Sequence, residues 1–340
     1  GISSSGSVTI SGGSTVTANG GNGGNSAGTE DVGDETYTIR IACENSDSYP
    51  ATLGLYQMEK YVESHTNGKV QVEVCASGQL GGEEETLEQV AQGNLEMAVA
   101  SFAPVVSYVP EFEVMDIPFV YNSYTEAWMV LDSYVGTNLL DKMEAQGLKG
   151  MAYMENGMRQ VTSNVSAINS IADFKGVKLR TMQNNNHMES FSALGANPTP
   201  VAFSELYISL SQKVVDAQEN PIANVTDKKL YEVQKYLSLT NHIYDAMPLV
   251  CNLEFFNSLP QAYQKVVQAG AIYAQEFSRF CNLEREDLIL ADLADKYGMQ
   301  INEVSADARA EMAKGCTACR YQARCKGHRP GRSRSVHERR

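Results

Sequence analysis

The stretch YTIRIACENSDSYPATLGLYQMEKYVESHTNGKVQVEVC, residues 37–75, places one helix signal between two strand signals. Residues 38–43 alternate apolar and polar side chains, as a half-buried strand does. Pro50 suits the first turn of a helix, where its missing N–H costs nothing. Leu55, Met58, Val62 and His65 then recur at helical spacing until Asn67-Gly68 stops them. Residues 69–75 alternate again. The order continues with the turn Gly78-Gln79-Leu80-Gly81-Gly82, the acids Glu83, Glu84 and Glu85 suited to a helix N-terminus, and a strand at 95–100. This βαβαβ order predicts an α/β fold with a mostly parallel sheet and helices on both faces.

Further along, residues 125–146 are expected to form one long helix carrying Trp128, the only Trp. Helices are expected near 187–194 and over 203–212. Residues 260–293 read as a helix long enough to brace two lobes. Asp116-Ile117-Pro118-Phe119 reads as a buried turn.

Two arginines stand out against this frame. Arg159 follows the apolar run 148–154, and Arg180 ends the alternating run Val177-Lys178-Leu179-Arg180. In open α/β sheets ligands bind beyond the carboxyl ends of strands. A guanidinium there is a planar, permanently charged fork for a carboxylate. Either arginine alone is better explained by pairing with a local acid or solvating a strand end. Two of them at expected strand ends favour capture of an anion.

Composition bounds the function. The 340 residues are 43% hydrophobic and 20% charged, an ordinary globular balance with length for two domains. No run approaches the roughly 18 apolar residues of a membrane span. The net charge of -14 argues against a nucleic-acid partner, which needs an excess of Lys and Arg. Residues 315–340 oppose the trend, with eight basic residues against Glu338 alone. The seven cysteines form no evident disulfide framework. Cys43 and Cys75 read as small buried hydrophobes. Cys316, Cys319, Cys325 and His328 fall short of a matched zinc set. The five histidines have no ligand spacing, so neither a metal nor a cofactor is expected. Residues 1–36, rich in Gly, Ser, Thr and Asn, read as a flexible linker. A chain beginning with Gly fits a processed secreted protein, periplasmic or extracellular, held off a membrane by that linker and possible lipid anchoring.

Catalytic signatures are thin. There is no Gly-x-Ser-x-Gly, His-Glu-x-x-His or Gly-x-x-x-x-Gly-Lys-Ser/Thr, so binding without chemistry is favoured. The competing readings are an enzyme holding an acid on Arg180 and Arg159 with Glu83 or His187 as base, and a ligand sensor for a signalling partner.

Residues 194–222, LGANPTPVAFSELYISLSQKVVDAQENPI, carry the sharpest pattern, followed by LYEVQKYLSLTNH at 230–242. With ASGQLGG at 76–82, NGMRQVTSN at 156–164 and SIADFKGVKLRTM at 170–182, the chain resembles the solute-binding subunits of tripartite ATP-independent periplasmic (TRAP) transporters. The resemblance covers about 37–314 and stops at the basic tail. It implies a two-lobe periplasmic-binding-protein fold whose lobes are joined by a hinge and a long helix. The implied division is linker 1–36, lobe I 37–156 plus 246–285, lobe II 157–245 plus 286–314, and an atypical tail 315–340. It implies a monomer that captures a small organic anion, a sugar acid or a dicarboxylate, for an ion-gradient-driven permease. Arg180 matches the principal carboxylate ligand, Arg159 its support, and Asn220 a donor to the same carboxylate. Phe203 matches an aromatic packed on the ligand. Glu44, Glu83 and Ser101 match variable contacts, with Glu155, His187 and Asn252 as weaker candidates for the polar end. Each has a plainer role open to it. Phe203 can staple its helix, Asn220 can shape the turn before Pro221, Glu83 can serve a helix dipole, and His187 can cap a helix.

Overall fold

A computed structural model describes residues 35–327. The linker therefore lies almost wholly outside the described residues, as do His328 and the end of the tail. Among the described residues nine strands form one sheet: β1 Tyr37–Ala42, β2 Val70–Cys75, β3 Met97–Val99, β4 Leu148–Ser163, β5 Lys178–Thr181, β6 Asn197–Pro200, β7 Ala217–Pro221, β8 Tyr236–Asn252 and β9 Gln300–Glu303. Their order is β2-β1-β3-β8-β4-β7-β5-β6, with β9 beside β8. The fold is α/β with two lobes, as expected, but the sheet is mixed rather than mostly parallel. β1 lies parallel to β2 and β3, and β5 parallel to β6 and β7. The middle pairings, β3 with β8, β8 with β4 and β4 with β7, are antiparallel.

The reason is the length of β4 and β8, 16 and 17 residues. At about 3.3 Å per residue each spans roughly 50 Å. They pair from Leu148↔Asn252 to Ser163↔Tyr236 and run through both halves of the molecule. β3 takes one end of β8, and β7 takes the opposite end of β4. Register shifts fall at Gly150/Ala152, Glu155/Gly157 and Arg159/Val161. Such bulges bend the strand that carries them.

Separate cores lie on the two sides of these bulges. One gathers Phe102, Phe112, Met115, Leu131 and Tyr153. A second gathers Phe174, Leu179, Phe191, Leu194 and Met312, and a third Leu206, Leu230, Leu237 and Leu293. The helix Gln261–Ala291, 31 residues and roughly 46 Å long, packs on β4 and on the helix Pro50–His65. Two glycines permit that close approach. A Cβ on Gly54 would lie 2.5 Å from the Ala274 carbonyl oxygen, and one on Gly270 would lie 2.8 Å from Val62.

Other local expectations have clear outcomes. Pro50 opens its helix, and Asn67 and Gly68 leave it with positive φ. Cys43, just past the end of β1, and Cys75, at the end of the neighbouring β2, are buried free thiols. The single helix expected over 125–146 is instead Tyr124–Leu131, Tyr134–Lys142 and a 3-10 turn Met143–Gln146. Ser133 caps the restart by accepting from the Val135 amide, and Gly136 packs against the Leu131 carbonyl where no side chain fits. The helix Ala306–Gly327 continues past residue 315. Cys316 is buried in the second core, so the first turn of the basic tail is part of the fold.

Candidate ligand-binding cleft

A cleft lies where the two halves face each other. Its walls are Asn45 and Ser101, just beyond the ends of β1 and β3; Glu83 and Glu84 at the start of the helix Glu83–Ala91; Asn156 and Met247 on the long strands; and Arg180, Met182, Gln183, Phe203, Asn220 and Asn224 from the other side. Strand ends thus deliver the polar groups, as open α/β sheets do.

Arg180 is buried, with 1% of its surface exposed. Its Nε donates to the Val201 carbonyl at 2.8 Å, which fixes the plane of the guanidinium. Its buried Nη1 has no hydrogen-bond partner. Burial pushes its pKa down to about 10, opposed by Glu219, so it remains a cation at neutral pH. A desolvated cation with idle donors is costly unless an anion meets it.

Arg159 is different. It lies inside β4 rather than at a strand end, opposite Ile243 and Pro221. It does not line the cleft. Nε and Nη2 donate to the Glu219 carboxylate, Nη1 to Asp245 at 2.8 Å, and Nη2 to the Glu219 carbonyl at 2.8 Å and Asn220 Oδ1 at 3.2 Å. Burial opposes its charge, but Glu219 and Asp245 outweigh burial and raise its pKa above the ordinary arginine value. Arg159 in turn helps hold Glu219 well below the usual carboxylate range against the opposing effect of burial. His242 Nε2 lies 3.1 Å from Glu219.

Amides connect the halves. Asn45 Nδ2 donates to Asn224 Oδ1 at 2.9 Å, and Asn224 Nδ2 reaches Asn156 and Asn220, each at 3.2 Å. Asn156 Nδ2 donates to Asp245 at 2.8 Å, and Asn220 Nδ2 to Gln218 at 2.6 Å. Glu83 Oε1 accepts from both the amide and the hydroxyl of Ser101, each at 3.0 Å. Burial, then the neighbouring Glu44, push the Glu83 carboxyl up to about 8. Lys228 Nζ stands 4.7 Å from the centre of the Phe203 ring.

Of the residues singled out from the sequence, Arg180, Asn220, Phe203, Glu83 and Ser101 meet in the cleft. The others do not line it. Glu44 accepts from the Glu83 amide at 3.2 Å behind the wall. Glu155 lies beneath the first lobe, accepting from Trp128 Nε1 at 2.7 Å and the Tyr244 hydroxyl at 2.9 Å. Asn252, at the far end of β8, accepts from the Phe255 amide to cap a helix. His187 is wholly buried beside Asp116 and Glu219, so it does not sit at a helix surface. Asn45, Asn156, Asn224, Gln183 and Met247 were not singled out. Asn45 follows β1 directly, and the strand-end rule applied to β1 would have found it.

The sequence pattern of bacterial extracellular solute-binding protein family 7 matches residues 41–321. The chain belongs to this family. The C4-dicarboxylate-binding periplasmic protein DctP of Rhodobacter capsulatus is 31% identical over 81% of this chain and 83% of its own. The sugar acid binding protein of Advenella mimigardefordensis, solved with galactonate, is 32% identical, covers 86% of this chain and 94% of its own, and superposes with a TM-score of 0.83. A TRAP periplasmic solute-binding protein of Polaromonas sp. JS666, solved with D-erythronate, is 34% identical over 85% of this chain and 94% of its own, with a TM-score of 0.81. Members of the family serve extracytoplasmic solute capture for transport.

Proposed function

We propose that this solute-binding protein captures a hydroxylated monocarboxylate of the sugar-acid type and hands it, as a monomer, to a TRAP permease. The observation that carries the reading is the buried, unpartnered Nη1 of Arg180 in a wall whose other polar side chains are amides, acids and Ser101. Among the described residues lining the cleft, Arg180 is the only base, against Glu83 and Glu84. One cation matches one carboxylate. A second ligand carboxylate would meet acids, whereas ligand hydroxyls would find donors and acceptors on Asn45, Asn156, Asn224, Gln183 and Glu83. In this reading residues 37–156 with 246–285 and residues 157–245 with 286–314 are the two lobes. They close about the bulges of β4 and β8, and closure removes water from the Arg180–carboxylate pair, which strengthens it.

A melting screen of aldonates and uronates against C4-dicarboxylates tests the choice. A ligand at 100 times its Kd stabilises by about 2.7 kcal/mol. Sugar acids are expected to raise Tm, and succinate at the same concentration to leave it unchanged. A dicarboxylate giving the larger shift overturns the monocarboxylate assignment.

A further inference from the structure

Asn45 and Asn224 line the cleft, and Ser46, Asp227 and Lys228 stand just behind them, outside its wall. Glu44, Asn45 and Ser46 follow β1 in the first half and are fastened there. The Cys43 amide donates to the Cys75 carbonyl at 3.0 Å, the Ser77 amide to the Asn45 carbonyl at 2.7 Å, and the Glu83 amide to the Glu44 carboxylate at 3.2 Å. Opposite them, in the second half, is the short helix Ile222–Asp227, whose Ile222 and Val225 belong to the third core. The Lys228 amide still donates to the Asn224 carbonyl at 3.1 Å, so Lys228 continues the last turn of that helix. Asn224, Asp227 and Lys228 are three and four positions apart and therefore share one face.

Each residue of that face meets one residue of the run after β1. Asn45 Nδ2 donates to Asn224 Oδ1 at 2.9 Å, the Ser46 amide to Asp227 Oδ1 at 3.2 Å, and Lys228 Nζ to the Glu44 carbonyl at 3.0 Å. Lys228 does more than its two neighbours. Its ammonium stands 4.7 Å from the centre of the Phe203 ring, which lines the cleft. A cation over an aromatic face is drawn to it. One charged group thus steadies an aromatic wall of the second half and grips the backbone of the first, and hydrogen bonds from a charged donor are the stronger kind.

Building on the proposed closure of the two lobes over a sugar acid, we infer that Lys228 is a positioning residue of a clasp, formed with Asn224 and Asp227, that holds the halves closed and sets how long the ligand stays. Both partners of each bond are anchored in their own half. Separating the halves therefore breaks the bonds and cannot carry one partner along with the other. Contacts completed only on closure slow release and leave the encounter unchanged. Lys228 does not line the cleft, so it acts on residence time and leaves the choice among acids to the wall itself.

Stopped-flow mixing of full-length protein with galactonate separates the two rates. Lys228→Met keeps an apolar stem beside Phe203 and loses the ammonium. Its dissociation is expected to be about tenfold faster, as for the loss of one charge-assisted hydrogen bond, with association within about twofold of wild type. Lys228→Arg keeps a charged donor and is expected to recover most of the residence time. A wild-type release rate in Lys228→Met overturns the clasp, as does slower association with release unchanged. Lys228→Arg releasing as fast as Lys228→Met overturns it too. Hydrogen exchange reads the clasp with no ligand added. The Ser46 amide is expected to exchange about tenfold faster in Asp227→Ala than in wild type, while the amides of Ile39 and Ile41 in β1 keep their protection. A Ser46 amide that exchanges alike in both proteins contradicts the clasp. Protection lost through β1 as well marks general loosening and also contradicts it. Galactonate failing to bind the wild type counts against the cleft reading, while the Ser46 exchange still decides the clasp.

Discussion

Arg159 and Arg180 are equally buried and about twenty residues apart, yet their surroundings are opposite. Arg159 is saturated: two carboxylates, a carbonyl and an amide oxygen take its donors. Arg180 has one fixed bond to Val201 and a buried nitrogen left idle. Burial therefore does not distinguish structure from function here. The presence or absence of internal partners does. The first arginine stabilises a network spanning β4, β7 and β8. The second holds a charge in reserve, which in the proposed reading a ligand anion completes.

The largest expected effect breaks the saturated site. Arg159→Ala leaves Glu219 and Asp245 buried without their cation, which costs about 3–5 kcal/mol of folding stability. For a chain of this size Tm should drop by roughly 10 °C. A melt within a degree or two of wild type would show that the network contributes nothing. Arg180→Ala reverses the pattern. Ligand affinity should fall by about 30-fold to several thousandfold, corresponding to roughly 2–5 kcal/mol. The ligand-free protein should melt no lower than wild type, because a desolvated, half-satisfied cation has been removed. Arg180→Lys should restore only part of the affinity, since an ammonium lacks the planar fork. A ligand-free Tm that falls as far as in Arg159→Ala would erase the contrast.

The smallest effect concerns the acids around the two sites. Burial raises Glu155 to about 7, Asp245 to about 6 and Glu83 to about 8. A raised folded value means the contribution is full below the unfolded value of about 4 and is lost as pH climbs through the folded one. The ligand-free protein should therefore lose a few degrees of Tm between pH 5.5 and 8.5. Glu155→Gln should lessen that slope without touching affinity, because Glu155 lies outside the cleft. A Tm that rises steadily over this range would mean these carboxyls are already ionised and paired.

Much of this arrangement was legible in the residues. The βαβαβ start, the helix at Pro50, the brace after Pro260 and the cleft position of Arg180 follow from periodicity, capping residues and the strand-end rule. The family resemblance added Asn220, Phe203, Glu83 and Ser101. What stayed hidden was the long β8. Its Thr240-Asn241-His242 interrupts the apolar pattern, Asn241 takes a positive φ, and Pro248 withholds an N–H, all signs that argue against a continuous strand. They are tolerated because β8 is bulged against β4 and the Pro248 carbonyl still accepts from Ala100. Missing β8 made the sheet look parallel and put Arg159 at a strand end. The partners of Arg159 come from β7 and β8, so its saturation is a tertiary fact that no local spacing announces. The same holds for His187, whose neighbour Asp116 is 71 positions away.

The most direct test of the contrast between the two arginines is a crystal structure with the sugar acid that most raises the melting temperature. The ligand carboxylate is expected within hydrogen-bonding distance of Arg180 Nη1, with its hydroxyls on the Asn45–Asn224–Asn156 side and Arg159 still paired to Glu219 and Asp245. A carboxylate bound elsewhere, or one that draws Arg159 away from those acids while Arg180 stays idle, would contradict the account.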